Sequence, residues 1–189
     1  MSQYVHKKPT ERPTIFHGMV STSTRMLEFF QLIERAAKSD SNVLVRGESG
    51  TGKELVARAI HSLSRRSAGP FYALNCATLT SELMQSELFG HVKGAFTGAV
   101  ADRQGLFEAA HQGTLFLDEI AEMPIDLQPR LLRVIQDRQF SRVGSFKTIK
   151  ANVRIVSATH KSLRHEVQAN HFRGDLMYRL RVVPIFLPR

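Results

Sequence analysis

The sequence predicts an α/β fold of three layers, in which helices cover both faces of a mainly parallel, five-stranded sheet. Two observations predict it. Short apolar segments alternate with segments whose apolar residues recur at helical spacing, and this alternation is typical of parallel sheets. A glycine-rich stretch, residues 47–52, also separates one predicted strand from one predicted helix. Ligands in such folds bind beyond the carboxyl ends of the strands, where we expect a site.

The predicted elements follow a polar N-terminal segment. Residues 1–17 contain prolines and lack apolar periodicity, so we interpret them as a leader or linker remnant before a domain at residues 18–189. Ser23 is expected to cap a helix with one apolar face, formed by Met26, Phe30, Ile33 and Ala37. Further helices are predicted after Lys53 and at residues 80–89 and 126–137, and strands at residues 42–46, 71–75, 114–118, 153–158 and 182–187.

The composition excludes several classes of protein. The chain has 189 residues, 42% of them hydrophobic, which is enough for the core of one domain. No apolar run approaches the roughly 18 residues of a membrane-spanning helix, and the N-terminus lacks the apolar region of a secretory signal. The single cysteine, Cys76, excludes an internal disulfide. We therefore predict a cytoplasmic protein without a membrane partner.

The positive charge is concentrated in the C-terminal third. Residues 129–189 contain 13 Lys and Arg against 3 Asp and Glu, whereas residues 1–128 contain 13 against 14. A basic excess can attract nucleic acid, but the sequence has no Lys/Arg run and no helix-turn-helix or zinc-finger spacing. We expect no direct DNA reading by this chain. The alternatives are that some of the arginines serve ATP phosphates and that an acidic continuation of the chain would balance the rest.

The glycine-rich stretch has the spacing of a P-loop, the Walker A motif of nucleotide triphosphatases. It consists of Gly47, Glu48, Ser49, Gly50, Thr51, Gly52, Lys53 and Glu54. Glycines let backbone N–H groups surround phosphate oxygens, and Lys53 is predicted to contact the β- and γ-phosphates of ATP. The general pattern has Ser or Thr after the lysine as a magnesium ligand, whereas this chain has Glu54.

A second motif, residues 115–119, ends an apolar strand in two adjacent acids and has the form of a Walker B motif. Asp118 is predicted to hold hydrated Mg²⁺, and Glu119 to polarise the attacking water. The alternative is that the two acids only cap a following helix. The histidines His91, His160 and His165 have no metal-ligand spacing.

A third motif resembles the GAFTGA loop of sigma-54-dependent transcription activators, a family of AAA+ P-loop NTPases. It comprises Gly94, Ala95, Phe96, Thr97, Gly98 and Ala99. Glycines at both ends and one aromatic residue suit a mobile loop that presents Phe96 to a partner. Without the resemblance, the preferred interpretation of Phe96 is a core anchor in an ordinary surface loop. The resemblance extends from about Phe16 to the last residue, and the family's Walker A also has Glu after the lysine.

The resemblance implies further site residues. Asn75 matches the asparagine that restrains the Walker B glutamate, although turn capping explains it equally well. Thr159, within residues 157–160, matches the sensor I position. Arg173 and Arg179 match the two arginine fingers that reach ATP in a neighbouring subunit, with surface charge or an ion pair to Asp175 as the alternative.

The resemblance also implies a function: ATP hydrolysis in a homo-oligomeric ring, expected to be a hexamer, which remodels sigma-54 RNA polymerase closed complexes. The family continues past the position of Arg189 into a helical lid, which this sequence lacks. We therefore expect weak nucleotide affinity and poor ring formation. Two alternatives remain: an AAA+ ATPase of another class, such as a helicase loader or chaperone, and a module that only binds nucleotide or sigma-54.

Overall fold

The computed structural model describes residues 13–188, so most of the predicted leader, residues 1–12, lies outside the described part. In chain order its elements are β1 (Thr14–Phe16), β2 (Met19–Ser21), α1 (Thr24–Lys38), β3 (Val43–Arg46), α2 (Lys53–Ser62), β4 (Phe71–Asn75), α3 (Ser81–Phe89), α4 (Leu106–Ala109), β5 (Thr114–Asp118), a 3-10 turn (Ile120–Glu122), α5 (Gln128–Asp137), β6 (Gln139–Ser141), β7 (Thr148–Lys150), β8 (Arg154–Thr159), α6 (Leu163–Gln168), α7 (Gly174–Leu180) and β9 (Val183–Phe186).

The central sheet has the strand order β4-β5-β8-β3-β9, and every pair of neighbours is parallel. The predicted five-stranded parallel sheet is therefore confirmed. Asn75 lies opposite Asp118, and Arg46 lies opposite Thr159. Because the strands are parallel, the carboxyl ends of β4, β5, β8 and β3 meet at one edge, which we call the carboxyl edge.

The two faces of the sheet bury different helices. Val43, Val45 and Phe116 point into a cluster with α1 and α2, whereas Leu44 and Leu115 point into a second cluster with α3 to α7. Successive strand residues face opposite sides, so strands covered on both sides are apolar throughout. This produces the three predicted layers. No helix within residues 13–188 is long and apolar enough to cross a bilayer.

The segment before α1 differs from the prediction. We expected ordered structure to begin after Gly18, but Thr14–Phe16 pairs antiparallel with Met19–Ser21. The Phe16 ring stacks on Phe30 of α1, with ring centroids 4.6 Å apart. The expectation was wrong for these residues because a three-residue strand is too short to show periodicity.

A second antiparallel hairpin, β6 and β7, also lacks a clear signal in the sequence. Its loop lies beside residues 94–99. The Val92 N–H donates to the Val143 carbonyl over 3.0 Å, and a side chain at Gly144 would overlap Ala95. The hairpin therefore supports the base of the loop that carries Phe96.

Arg154, the first residue of β8, is buried beneath the end of α1. Its guanidinium donates to the carbonyl oxygens of Ala36, Ala37 and Ser41 over 2.8, 3.2 and 3.2 Å. The last carbonyls of a helix lack partners within the helix. Arg154 supplies those partners and joins α1 to the sheet.

Candidate functional site

The P-loop connects β3 to α2, as predicted. Gly50 and Gly52 have φ values of 76° and 87°, a left-handed conformation that disfavours residues with a side chain. Lys53 is the first residue of α2 and is 5% exposed. Its side chain therefore lies inside the curve of the loop.

The other loop residues lie mainly at the surface. Ser49, Gly50 and Thr51 are exposed, and the Thr51 hydroxyl donates to the Glu48 carbonyl over 2.8 Å. Glu54 pairs with Arg58 one turn along α2, at 2.7 Å between Nη2 and Oε1. Because this carboxylate is engaged at the surface, Asp118 is the acid best placed to serve a metal ion beside the loop.

Lys53 contacts Glu119 across the carboxyl edge. Its Nζ lies 3.2 Å from Glu119 Oε1, and it also donates to the carbonyl oxygens of Gly47 and Glu48 over 3.3 and 3.0 Å. The Lys53 and Glu119 side chains are 6% and 13% exposed. A phosphate oxygen can therefore bind Lys53 by replacing a carboxylate oxygen of Glu119.

Glu119 has a left-handed backbone, with φ 47° and ψ 49°, at the start of the 3-10 turn. Its Oε2 lies 2.8 Å from His160 Nδ1 and accepts from the His160 N–H over 3.3 Å and from the Thr159 hydroxyl over 3.4 Å. Burial acts to raise its pKa, but the hydrogen bonds from His160 and Lys53 outweigh burial and hold the pKa below its ordinary value. Glu119 is therefore ionised at neutral pH.

Asp118 ends β5 and accepts the Glu119 N–H over 3.0 Å. Burial, with the neighbouring charge of Glu119, raises the pKa of Asp118 above its ordinary value. No group of three or more His, Cys, Asp or Glu side chains gathers within residues 13–188. A single carboxylate, that of Asp118, fits Mg²⁺. This ion takes one or two protein carboxylates and completes its shell with water and substrate phosphate.

Asn75 lies beside these acids, but its side chain serves its own turn. Its Oδ1 accepts the Ala77 N–H over 2.8 Å. Among the described residues, no hydrogen bond joins Asn75 to Glu119. The geometry matches the turn-capping alternative, and the restraint of Glu119 by Asn75 stays a prediction.

The two predicted arginine fingers lie away from the P-loop. Arg173 forms an exposed ion pair with Asp175, at 2.7 Å, and its guanidinium does not contact residues 47–54. The Arg179 carbonyl accepts from Asn42, the residue before β3, over 3.0 Å. Arg179 is therefore at the amino edge of the sheet, opposite the P-loop. Neither side chain completes the site of its own subunit.

Residues 94–99 form a compact loop closed by its own backbone. The Gly94 N–H donates to the Ala99 carbonyl over 2.8 Å, and the Ala99 N–H donates to the Phe96 carbonyl over 3.0 Å. Phe96 is 41% exposed, and its ring meets the edge of His91 at 4.9 Å between centroids. The alternative of Phe96 as a core anchor is therefore wrong.

His160 was missed as a site candidate, and the exposure of Phe146 was not predicted. His160 contacts Glu119 directly, whereas the family resemblance implied a sensing role for its neighbour Thr159. Phe146 is fully exposed in the loop between β6 and β7, beside the loop of Phe96. The signal for His160 was its place at the end of a predicted strand. Phe146 had no signal, because exposure depends on tertiary contacts.

The parallel sheet, with a P-loop between β3 and α2 and an acid pair at the end of β5, has the fold of P-loop NTPase domains of the AAA+ type. The model of the sigma-54 interaction domain matches residues 19–186. The chain therefore belongs to the sigma-54 interaction domain family.

Several curated relatives are longer transcription regulators. The Nif-specific regulatory protein of Herbaspirillum seropedicae is 54% identical over 90% of this chain and 32% of that protein. The regulator NtrC of Salmonella typhimurium is 54% identical over 90% of this chain and 36% of that protein. The chain spans about a third of the length of these relatives.

Solved structures agree with the fold. NtrX from Brucella abortus in complex with ATP is 46% identical, with a TM-score of 0.83 over 90% of this chain and 36% of that chain. A reconstruction of Hsp104 is 18% identical, with a TM-score of 0.61 over 85% of this chain and 33% of that chain. The likeness to Hsp104 shows the fold alone.

Proposed function

We propose that this chain binds ATP, hydrolyses it, and uses the turnover to remodel sigma-54 RNA polymerase closed complexes at the start of transcription. One observation carries the proposal: Glu119 Oε1 lies 3.2 Å from the Nζ of the P-loop lysine. In this proposal, the Glu119 carboxylate activates water beside Lys53, the residue that binds the transferred phosphate. Relatives named as transcription regulators, and the ATP complex of NtrX, support it.

The chemistry divides among residues of the carboxyl edge. The backbone N–H groups of residues 47–52 and the Lys53 ammonium bind the phosphates. Bound Mg²⁺ supplies charge neutralisation at the phosphates, and Asp118 would hold it through water. Glu119 polarises the attacking water, and Thr159, which contacts Glu119, responds to the γ-phosphate.

Hydrolysis in this proposal requires a second copy of the chain. Arg173 and Arg179 lie away from the P-loop of their own subunit, so their guanidiniums act on a neighbour's nucleotide. A guanidinium stabilises charge that develops during phosphoryl transfer. The assembly is a homo-oligomeric ring, which we infer to be a hexamer, working in the cytoplasm.

The loop of residues 94–99 is the contact for sigma-54. Phe96 is exposed and apolar, and its glycine-flanked loop can change height as the nucleotide state changes. We assign no DNA reading to this chain. Binding of sigma-54 should fall at least tenfold in Phe96→Ala, and it should be unchanged in Ile15→Ala, a matched change of an exposed apolar side chain on β1.

One observation favours a second candidate, a chain that binds nucleotide or sigma-54 without turnover. In a single copy, Arg173 is engaged by Asp175, and within residues 13–188 neither predicted arginine finger reaches the P-loop of its own subunit. The two candidates differ in how activity depends on assembly.

The test is the ATPase rate per subunit as a function of protein concentration. Hydrolysis in trans predicts a steep rise with concentration that disappears in Arg173→Ala and persists in Arg35→Ala, an exposed arginine of α1. A flat background rate with nucleotide still bound would establish the second candidate.

A further inference from the structure

His160, which directly follows β8, makes a contact that the chemistry described above leaves unused. Its Nδ1 lies 2.8 Å from Glu119 Oε2, and its backbone N–H donates to the same oxygen over 3.3 Å. The other carboxylate oxygen, Oε1, faces Lys53 at 3.2 Å. The two oxygens of Glu119 therefore have different partners, one in the P-loop and one at the end of β8.

The two contacts respond differently when a phosphate arrives. Lys53 is the phosphate ligand, so an incoming phosphate oxygen competes directly with Glu119 Oε1. His160 is outside residues 47–54, and its bond to Oε2 does not depend on the Lys53 ammonium. A carboxylate only accepts hydrogen bonds, so Nδ1 carries the hydrogen and donates it. Arrival of the phosphate frees one oxygen of Glu119 and leaves the other in place.

In the described part of the chain, Lys53 and His160 are the two long side chains that contact Glu119, and of these only His160 contacts Oε2. The Asn75 oxygen is engaged by the Ala77 N–H, and the Thr159 hydroxyl reaches Oε2 only at 3.4 Å. His160 supplies both the shortest contact to Glu119 and a second one from its backbone. Its ring is therefore the group best placed to fix the direction of the carboxylate.

We propose that His160 is a positioning residue for Glu119: it holds Oε2 while Lys53 exchanges Oε1 for a phosphate oxygen, so that Oε1 faces the attacking water. The inference rests on the proposed ATP hydrolysis. In that step the water oxygen bonds to the γ-phosphorus, the bond from phosphorus to the bridging oxygen breaks with its electron pair on ADP, and Oε1 accepts the water proton. His160 keeps its Nδ1 hydrogen throughout the step and takes no part in proton transfer.

The first test separates rate from binding. Single-turnover hydrolysis should fall about 10- to 100-fold in His160→Ala, because loss of orientation costs rate even when the reacting groups remain. The nucleotide dissociation constant should stay within about threefold, since Lys53 is intact. His160→Asn should recover most of the rate, because its amide N–H can donate to Oε2. His111→Ala changes an exposed histidine at the amino edge of the sheet and should have no effect.

The second test asks whether His160 acts through Glu119. In a Glu119→Gln background, adding His160→Ala should cause no further loss of the residual rate, because a positioning residue has nothing left to orient. An additive loss would overturn the proposal. So would weaker nucleotide binding with an unchanged rate, which would mean that His160 contacts the phosphate itself.

A third measurement does not depend on turnover. The Nδ1 resonance of His160, followed by ¹⁵N NMR, should shift in Glu119→Ala and keep its wild-type position when ADP and Mg²⁺ are added to the wild-type chain. Loss of the contact on nucleotide addition would overturn the proposal. A wild-type chain that does not hydrolyse ATP would instead overturn the proposed function, and the NMR result would still decide whether His160 holds Glu119.

Discussion

Lys53 Nζ and Glu119 Oε1 lie 3.2 Å apart, and both side chains are nearly withdrawn from solvent. This ion pair satisfies the P-loop lysine in the absence of a phosphate. It also means that a nucleotide must displace a carboxylate oxygen before Lys53 can bind it. In the proposed reaction, the same pair would therefore oppose nucleotide binding and hold Glu119 beside the phosphate site.

Replacing Glu119 with glutamine should separate these two effects. Glu119→Gln removes the competing charge, so nucleotide should bind more tightly, by roughly tenfold or about 1.4 kcal/mol. Hydrolysis should fall about 10²- to 10⁴-fold, because the general base is lost. Calorimetric titration measures the nucleotide affinity, and a phosphate-release assay measures the rate of hydrolysis. Glu122→Gln removes a carboxylate that pairs with Lys161 nearby and should change neither.

Mixing two inactive variants should restore activity if the arginine fingers act in trans. Arg173→Ala should lower the ATPase rate by about 10³-fold or more, in the range found for arginine fingers. Arg173→Ala keeps Glu119, and Glu119→Gln keeps Arg173, so mixed assemblies contain interfaces with both groups. Phosphate release from the mixture should exceed that of either variant alone. A mixture no more active than its components would argue against a shared site.

The ion pair of Asp40 with Arg66 should make stability depend on pH. Arg66 donates to Asp40 over 2.6 and 2.7 Å, and this lowers the pKa of the Asp40 carboxyl. The pair therefore stabilises the fold above the ordinary aspartate pKa of about 3.9, and the effect is lost as the pH falls through the lower folded value.

The measurement is urea unfolding of the wild type and Asp40→Asn. Because the Asp40 side chain is half exposed, the variant should lose only about 1 kcal/mol or less at pH 7, and the difference should shrink towards zero as the pH falls through the lowered pKa of the folded Asp40. Asp137→Asn changes an exposed aspartate with no side-chain partner in the described residues and should show no such difference. An Asp40→Asn effect that grows in acid would contradict the assignment.

Arg138 should be replaceable by glycine with a gain in stability. It ends α5 in the left-handed region, with φ 54°, where a side chain is strained. Arg138→Gly should raise the free energy of unfolding by about 0.5–1 kcal/mol, after the greater freedom of glycine in the unfolded chain is subtracted. Arg133→Gly, an exposed position within α5, should instead lose about 1 kcal/mol. Chemical denaturation of both variants gives the comparison.

Removing the Arg154 guanidinium should be among the costlier single changes. Arg154→Met keeps much of the side-chain volume but removes the donor to the carbonyl oxygens of Ala37 and Ser41 and the shorter of two donors to Ala36. We expect a loss of about 3 kcal/mol or more, measured as a lower urea midpoint with an unchanged slope. Arg133→Met, at the surface of α5, should stay within about 0.5 kcal/mol of wild type.

The sequence predicted the central sheet well, and the reason lies in its strands. β3, β5 and β8 are buried on both faces and are mainly apolar, and the partly exposed edge strands β4 and β9 also contain short apolar runs, so each of the five produced a local signal. The hairpins of β1 with β2 and of β6 with β7 were not predicted, because strands of three residues are too short to show a period-2 pattern. The start of α5 was placed two residues early, at Asp126 rather than Gln128. Helix ends depend on local turns that periodicity does not resolve.

The residues of the candidate site were also predictable only in part. Lys53, Asp118 and Glu119 were predicted because their motifs are local, and a strand followed by a glycine-rich loop or two acids fixes where they point. The partners of those side chains were not predictable. Asn75 lies at the expected edge, yet its oxygen serves its own turn, whereas His160 holds the carboxylate.

The sequence by itself determined the class of this protein, since the P-loop, the acid pair and the hexapeptide at residues 94–99 each consist of consecutive residues. Only the tertiary structure decided which atoms meet. It set Lys53 against Glu119, His160 on the opposite oxygen, and Arg179 at the far edge of the sheet. Spacing along the chain reports local conformation, but a contact between residues 41 positions apart depends on how the strands are ordered in the sheet.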